Sequence, residues 1–330
     1  MTTWDALDIA LMLGKIVVLF AIILTLAAYM VLAERRILGW IQDRIGPNRV
    51  GPFGLLQPLA DVIKMLTKED MIPKAADRFL FSVAPAMAAI PAILTFAIIP
   101  LGAPTVFFGH EVNLQIADLD VGVLVFLALS SIAVYGVALG GWASNSKYAL
   151  LGSIRGLSQL ISYELSMGLS LVPVVMLAKS LRLSEIVDAQ AQMPFIVYQP
   201  LAFAIFLVSI LAECRRIPFD LPEAEGELVA GFHTEYSGMR FGLFFVGEYI
   251  NIISLSALAS LFFLGGWRGP LLPPILWFFI KVALFAFVFI WVRGTLPRLR
   301  YDQLMHLGWK FLTPLALLNI LATGWWLALR

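Results

Sequence analysis

Apolar residues fall in eight long runs, at 9–33, 79–101, 121–142, 157–178, 196–212, 241–264, 275–292 and 311–329. About twenty consecutive apolar residues match the hydrocarbon thickness of a bilayer, so each run predicts a transmembrane helix. The fifth and seventh runs, 17 and 18 residues long, sit at the lower limit of what crosses. A membrane β-barrel would instead alternate over segments of about ten residues. The expected fold is therefore all-α: a polytopic helical membrane protein with eight transmembrane helices in one integral domain, residues 1–330. The first run is too long for the apolar region of a signal peptide and has no basic stretch before it. It leads into Glu34-Arg35-Arg36, with no small-residue cleavage site, so it reads as a span.

Between the first two spans the pattern changes. Gly46-Pro47-Asn48-Arg49-Val50-Gly51-Pro52 breaks any helix twice. Beyond it, Leu55, Leu56, Leu59, Val62, Ile63 and Leu66 recur at helical spacing, and Gln57, Asp61, Lys64 and Lys68 form the opposing stripe. This stretch is too short and too polar to span. It predicts an amphipathic helix over about 54–68 lying in the membrane interface, with Pro58 in its first turn. Periodicity leaves two roles open. The helix is a peripheral anchor, or Asp61 and Lys64 face an enclosed polar space while the apolar stripe opens onto lipid.

Composition agrees with the pattern: 60% of residues are apolar, 14% are charged, and mean hydropathy is +0.89. These values exclude a soluble globular domain and a disordered chain. The net charge of +1 conceals where the charges sit. The segments after spans one, three, five and seven hold 17 of the 23 Lys and Arg residues, and the opposite side holds four. The positive-inside rule puts those segments in the cytoplasm and both termini outside. The same side carries 13 of the 22 carboxylates, mostly in loops 34–78 and 213–240. A solvated charged face is the simplest explanation. Charges interleaved with apolar and turn residues fit a surface that docks another protein better.

Cys214 is the only cysteine, which excludes a disulfide framework and the thiolates of an iron–sulfur cluster. His110, His233 and His306 lie in separate polar segments and form no axial pair for haem. The chain is expected to carry no cofactor of its own. There is no Walker loop, dinucleotide fingerprint, nucleophile with paired base or metal-ligand spacing, and no inverted repeat of the transporter kind.

Ionisable residues inside a span read as functional. Lys15 lies near the outer end of the first span and can snorkel. Glu164 and Glu248 lie about seven residues inside the cytoplasmic ends of spans four and six, too deep for a glutamate to reach water. Lys281, near the middle of span seven, calls for a partner such as one of these glutamates. Glu213 closes span five, and Glu223, Glu225, Glu227 and Glu235 follow it. Clustered carboxylates at low dielectric can take up and pass protons. The competing expectation is neutralisation by Arg215, Arg216, Arg293, Arg298 or Arg300.

Several stretches resemble one family across essentially the whole chain. They are Glu34-Arg35-Arg36, the run from Gly46 to Pro58, and Gly141-Trp142-Ala143-Ser144-Asn145-Ser146-Lys147-Tyr148. Pro218-Phe219-Asp220-Leu221-Pro222-Glu223-Ala224-Glu225 with Glu227-Leu228-Val229, and Arg300-Tyr301-Asp302-Gln303-Leu304, complete the set. The family is the quinone-chamber membrane subunit of proton-pumping NADH:quinone oxidoreductase, respiratory complex I. The resemblance implies a position at the joint between the membrane and peripheral arms, where the chain forms the lower part of a quinone chamber. By motif, Glu34, Arg35, Arg36, Arg44, Asp61, Lys64, Phe219, Asp220, Arg293 and Arg298 should line or approach that chamber.

The resemblance assigns Glu164, Glu213, Glu223, Glu225, Glu227, Glu235 and Glu248, with Lys281, to an acidic path linking quinone chemistry to proton pumping. One departure is Ser130-Ser131-Ile132, where some members carry a glutamate in the third span. The implied substrate is a quinone, with FMN and iron–sulfur clusters on partner subunits. Expected partners are the peripheral quinone-site and iron–sulfur subunits on the cytoplasmic side. The small and antiporter-like membrane subunits would lie alongside, with lipid around them and no nucleic acid. The bacterial inner membrane is the expected location, and the mitochondrial inner membrane is compatible. Two other functions compete: the related membrane subunit of an energy-converting hydrogenase or formate hydrogenlyase, and a free-standing ion-coupled transporter.

Overall fold

The computed structural model describes the backbone of residues 6–103, 105–107, 110–112, 114–223 and 225–329, and the side chains of 12–103, 114–223 and 226–329. The chain runs through α1 (Ala6–Ile41), α2 (Gln57–Thr67) and α3 (Arg78–Ala97). A hairpin of β1 (Thr105–Phe107) and β2 (His110–Val112) follows, antiparallel, with Thr105 opposite Val112. Next come α4 (Gly122–Ala143), α5 (Lys147–Ala178), α6 (Leu183–Ala189), α7 (Phe195–Tyr198) and α8 (Pro200–Glu213). After α9 (Glu225–Leu228) the chain forms α10 (Gly238–Phe263), α11 (Pro274–Thr295), α12 (Tyr301–His306) and α13 (Thr313–Ala328). The hairpin is a small extended insert in an otherwise helical fold, in a stretch whose threonine, valine and phenylalanines favour extended backbone.

Among the described residues, seven helices are long and apolar enough to cross a bilayer, and α8 is a shorter apolar helix. A polytopic helical membrane protein is the architecture expected from the eight apolar runs. The helix ends differ from those expected. α1 continues eight residues past the first apolar run and carries Glu34-Arg35-Arg36 on its last turns, so these charges are helical and not in a loop. Charged residues do not stop a helix; the first Gly-Pro break comes only at Gly46-Pro47. α5 starts at Lys147, ten residues before the expected span, and only residues 144–146 separate it from α4. Glu164 consequently lies about 25 Å along α5, near its middle, and not close to the cytoplasmic end. The last span begins at Tyr301 and passes through a π-helical stretch, Leu307–Leu312. Pro314 comes two residues later and has no N–H for the ladder.

α10 is the centre of the bundle, and nearly all of it from Gly247 onward is buried. Small residues allow its neighbours to approach closely, as expected where helices pack in lipid. A Cβ on Gly136 of α4 would lie 2.6 Å from the backbone of Ala88 in α3, and one on Gly247 would lie 3.0 Å from Ala89. On the cytoplasmic side Phe81 stacks on Tyr236 with ring centroids 4.0 Å apart, fixing the segment before α10 against α3. Gly231 has φ +59°, and a Cβ there would sit 1.7 Å from the Pro222 carbonyl oxygen, so this turn accepts only glycine.

Cys214 is fully buried and should give no background in thiol labelling. Leu271, between α10 and α11, is fully exposed. Leu271→Cys should react with an impermeant maleimide in right-side-out spheroplasts and stay unlabelled in inverted vesicles. The reverse pattern would invert the topology.

Candidate functional site

α8 has 14 residues. At about 1.5 Å per residue it covers roughly 21 Å, well short of a hydrocarbon core of about 30 Å. α7 and α8, joined at Gln199, together bring the helical stretch close to that length, and irregular chain follows Glu213; backbone of this kind is stable away from water only when protein encloses and satisfies it. Both conditions are met. Cys214, Arg216, Phe219 and Leu221 are buried. The amide of Gln159, fully buried on α5, donates to the carbonyls of Ala212 and Phe219, each at 2.7 Å. The Tyr163 hydroxyl donates to the Leu304 carbonyl at 3.0 Å, and its ring packs 5.4 Å from that of Phe219.

Arg215 turns the chain out of α8 with a left-handed φ of 53°. The two consecutive arginines then take different partners. Arg215 lies over the Phe232 ring at 5.4 Å. Arg216 lies 4.8 Å from the Tyr249 ring and 5.7 Å from that of Phe245, ion-pairs with Glu248, and reaches Glu34 at 3.6 Å. Glu34 also accepts a charge-assisted hydrogen bond from Arg293 of α11. Arg293, Glu34, Arg216 and Glu248 thus form a string of alternating charge across α11, α1, the loop after α8, and α10. Glu34, Arg216 and Glu248 are each about 95% buried, so the attraction acts in a medium that screens it poorly.

The string ends near a second group. Ser130 of α4 donates to Glu213 at 2.9 Å, and the adjacent Ser131 donates to Glu164. A cavity of about 20 Å³ borders Glu213, Arg215 and Asn251, room for a single water.

Nearer the cytoplasmic surface, Glu223 lies 3.5 Å from His233 Nε2. Burial pushes the Glu223 carboxyl up. The hydrogen bond from His233, with the charges of His233, Arg216 and Arg215, more than offsets this and holds it below the usual range. Glu227 is exposed and pairs with Arg155 at 2.6 Å, so it belongs to the surface and not to the enclosed cluster. Glu235 is half-buried, and among the described residues no ion pair joins it to the others. The side chain of Glu225 lies outside the described residues. Asp220 is half-buried beside Phe219.

The residues expected at the chamber divide in two. On α1 and α2, Arg35 donates to Asp61 at 2.9 Å, Gln57 donates to Asp61 at 3.0 Å, and Lys64 stands 3.9 Å from the same carboxylate. The apolar stripe of α2 (Leu59, Val62, Ile63, Leu66) is exposed while Gln57 and Asp61 turn toward the protein. This matches the second of the two roles open for that helix, except that Lys64 stays on the rim, 64% exposed. A cavity of about 340 Å³ lies between α2 and the start of α10, lined by Lys64, Met65, Lys68, Tyr236, Ser237 and Phe241. Arg36 is half-buried. Arg44 is exposed and bonds to Gln42 at 2.8 Å. Arg298 is half-buried and near enough to Glu227 to favour its ionised form.

Among the described residues Lys281 has no glutamate partner. Its ammonium donates to the carbonyls of Leu264, Gly266 and Arg268 at 2.6, 2.8 and 2.6 Å, capping the outer end of α10. A helix C-terminus leaves unpaired carbonyls that a cation satisfies. Position 281 is only about 10 Å along α11 from Pro274, too far from the glutamates to join them.

The sequence profile of the NADH dehydrogenase family matches residues 14–324. The chain belongs to the H-subunit family of NADH-quinone oxidoreductase. A relative from Geobacter metallireducens, the first of that organism's numbered NADH-quinone oxidoreductase H subunits, is 79% identical over 98% of this chain and 99% of its own length. The second numbered H subunit from Geobacter sulfurreducens is 78% identical over 97% of both. The second from Syntrophobacter fumaroxidans is 60% identical over 99% of this chain and 98% of its own length. Within this family frame, Arg216, Ser130 and Ser131 are site residues that the sequence alone does not assign. Arg216 is one of five possible neutralisers on paper, and the serines are only a departure from the family pattern.

Removing one partner from a buried ion pair strands the other charge at a cost of about 3–5 kcal/mol. Arg216→Met should therefore lower the unfolding temperature of the detergent-solubilised complex, and adding Glu248→Gln should restore most of the loss. Wild-type stability in the single variant would contradict the string.

Proposed function

We propose that this chain is the complex I subunit that forms the membrane end of the quinone chamber and couples quinone reduction to proton translocation through its buried glutamates. The observation that carries this reading is the bridge made by Arg216. It joins Glu34, from the set expected at the chamber, to Glu248, from the set expected in the acidic path. The relatives, all named as H subunits of NADH-quinone oxidoreductase, support this function over the hydrogenase and transporter readings.

The chemistry is defined by its balance. A quinone takes two electrons and two protons to become a quinol. The electrons come from NADH through FMN and iron–sulfur clusters on partner subunits, and this chain supplies passage and charge. The exposed apolar stripe of α2 offers a lipid-level threshold for an isoprenoid tail. The Arg35–Asp61 pair marks the polar margin where α2 meets α1. Beyond it, negative charge developing on a reduced head attracts Arg293 and Arg216. Both now hold Glu34, and Arg216 also holds Glu248. Any loosening of that hold leaves Glu248 less compensated and ready to accept a proton, in a low dielectric where one charge is felt by the next. Glu213 and Glu164 then lie deeper along the same route. The complex is placed in the bacterial inner membrane, with the peripheral subunits on the cytoplasmic loops and the other membrane subunits alongside.

Glu213→Gln and Arg36→Met should each lower NADH-to-quinone turnover about tenfold, a barrier change of roughly 1.4 kcal/mol, without loss of assembly. Both are measured in membrane vesicles together with proton uptake. Full turnover and full pumping in both variants would overturn the proposal.

A further inference from the structure

α4 is apolar along most of its length, yet it carries two adjacent hydroxyls, Ser130 and Ser131. Successive residues on a helix point about 100° apart, so one turn can serve two neighbouring helices. Ser130 is buried and donates to Glu213 at the end of α8, at 2.9 Å. Ser131 donates to Glu164 in the middle of α5 and shares its proton with the carbonyl of Leu127, at 3.0 Å. The two carboxylates are close enough to feel one another's charge. The second oxygen of Glu213 is enclosed without a hydrogen-bond partner among the described residues, and Glu213 lines a cavity together with Arg215 and Asn251. At about 20 Å³ that cavity has room for one water, and three polar residues line it, the number of partners a buried water commonly uses.

We propose that Ser130 and Ser131 are positioning residues that hold Glu213 and Glu164 as one proton-sharing unit, with a water in the adjoining cavity serving the free oxygen of Glu213. This rests on the acidic-path reading and deepens it. A hydroxyl is suited to the task because it both donates and accepts. It donates to a carboxylate and, after rotating, accepts from a carboxylic acid, so it follows its glutamate through a change of protonation without being consumed. It is also uncharged. A third carboxylate here would add repulsion between two acids already in contact through their fields. Each serine serves one glutamate, so the loss of both uncouples the pair.

The test uses the intact complex in native membranes. The double change S130A/S131A should lower kcat for NADH-to-quinone turnover about tenfold with the quinone KM within about twofold, since substrate binding is not touched. S130T/S131T keeps the hydroxyls and should retain roughly half the wild-type rate or more, with assembly confirmed by native electrophoresis. Wild-type turnover and pumping in S130A/S131A, while Glu213→Gln is impaired, would overturn the role of the serines and leave the acidic path standing. Wild-type behaviour in Glu213→Gln as well would overturn the path and this inference together. An assembled threonine variant as impaired as the alanine variant would assign the serines to packing and overturn the inference.

Discussion

Peptide groups shut away from water must find partners within the protein, and the end of α8 at Glu213 puts that requirement on the buried chain beyond it. Irregular chain begins at Cys214. Protein must then enclose the remaining irregular stretch, and α5 and α10 supply the enclosure. Gln159 donates to the carbonyls of Ala212 and Phe219, Tyr163 ties the same region to α12, and Arg215 turns the backbone through a left-handed residue. The irregular chain after α8 lies in a protein-lined recess where charged side chains are held.

The recess accounts for the electrostatics. Glu34, Arg216, Glu213 and Glu248 are all about 95% buried, where an isolated charge would be prohibitively expensive. They persist because Arg293, Glu34, Arg216 and Glu248 alternate in sign, because Tyr249 and Phe245 present ring faces to Arg216, and because hydroxyls reach Glu213 and Glu164. Such an arrangement is internally balanced and therefore responsive. A charge added at one end alters the compensation of each member down the string. The outer end of the same bundle shows the contrasting case. Lys281 is satisfied by three backbone carbonyls, which fixes the top of α10 and keeps that lysine out of the exchange.

The apolar runs and the one-sided basic residues are legible in the sequence because bilayer thickness and charge asymmetry act on composition directly. The interfacial helix is legible for the same reason, from the period of Leu55 to Leu66. Helix ends are less so. Glu34-Arg35-Arg36 reads as a loop by hydropathy, but α1 runs on to Ile41 and turns off at left-handed Asp43, φ 50°. Partners across the fold are not legible at all. Arg215 and Arg216 are equivalent on paper, and the left-handed turn at Arg215 decides which one meets Glu248. Lys281 meets carbonyls whose exposure depends on where α10 ends in space. Glu227 sits among path carboxylates in the chain but at the surface in the fold, paired with Arg155.

The central claim is that the buried glutamates respond to quinone reduction. The direct measurement is the infrared difference spectrum of the intact complex between its oxidised and quinol-loaded states, in the carboxyl stretching region. The expected result is a carboxyl band that appears with quinol formation and is altered by Glu→Gln substitution at position 248, 213 or 164. A spectrum that keeps the same band in all three variants would show that these carboxylates take no part, and would contradict the claim.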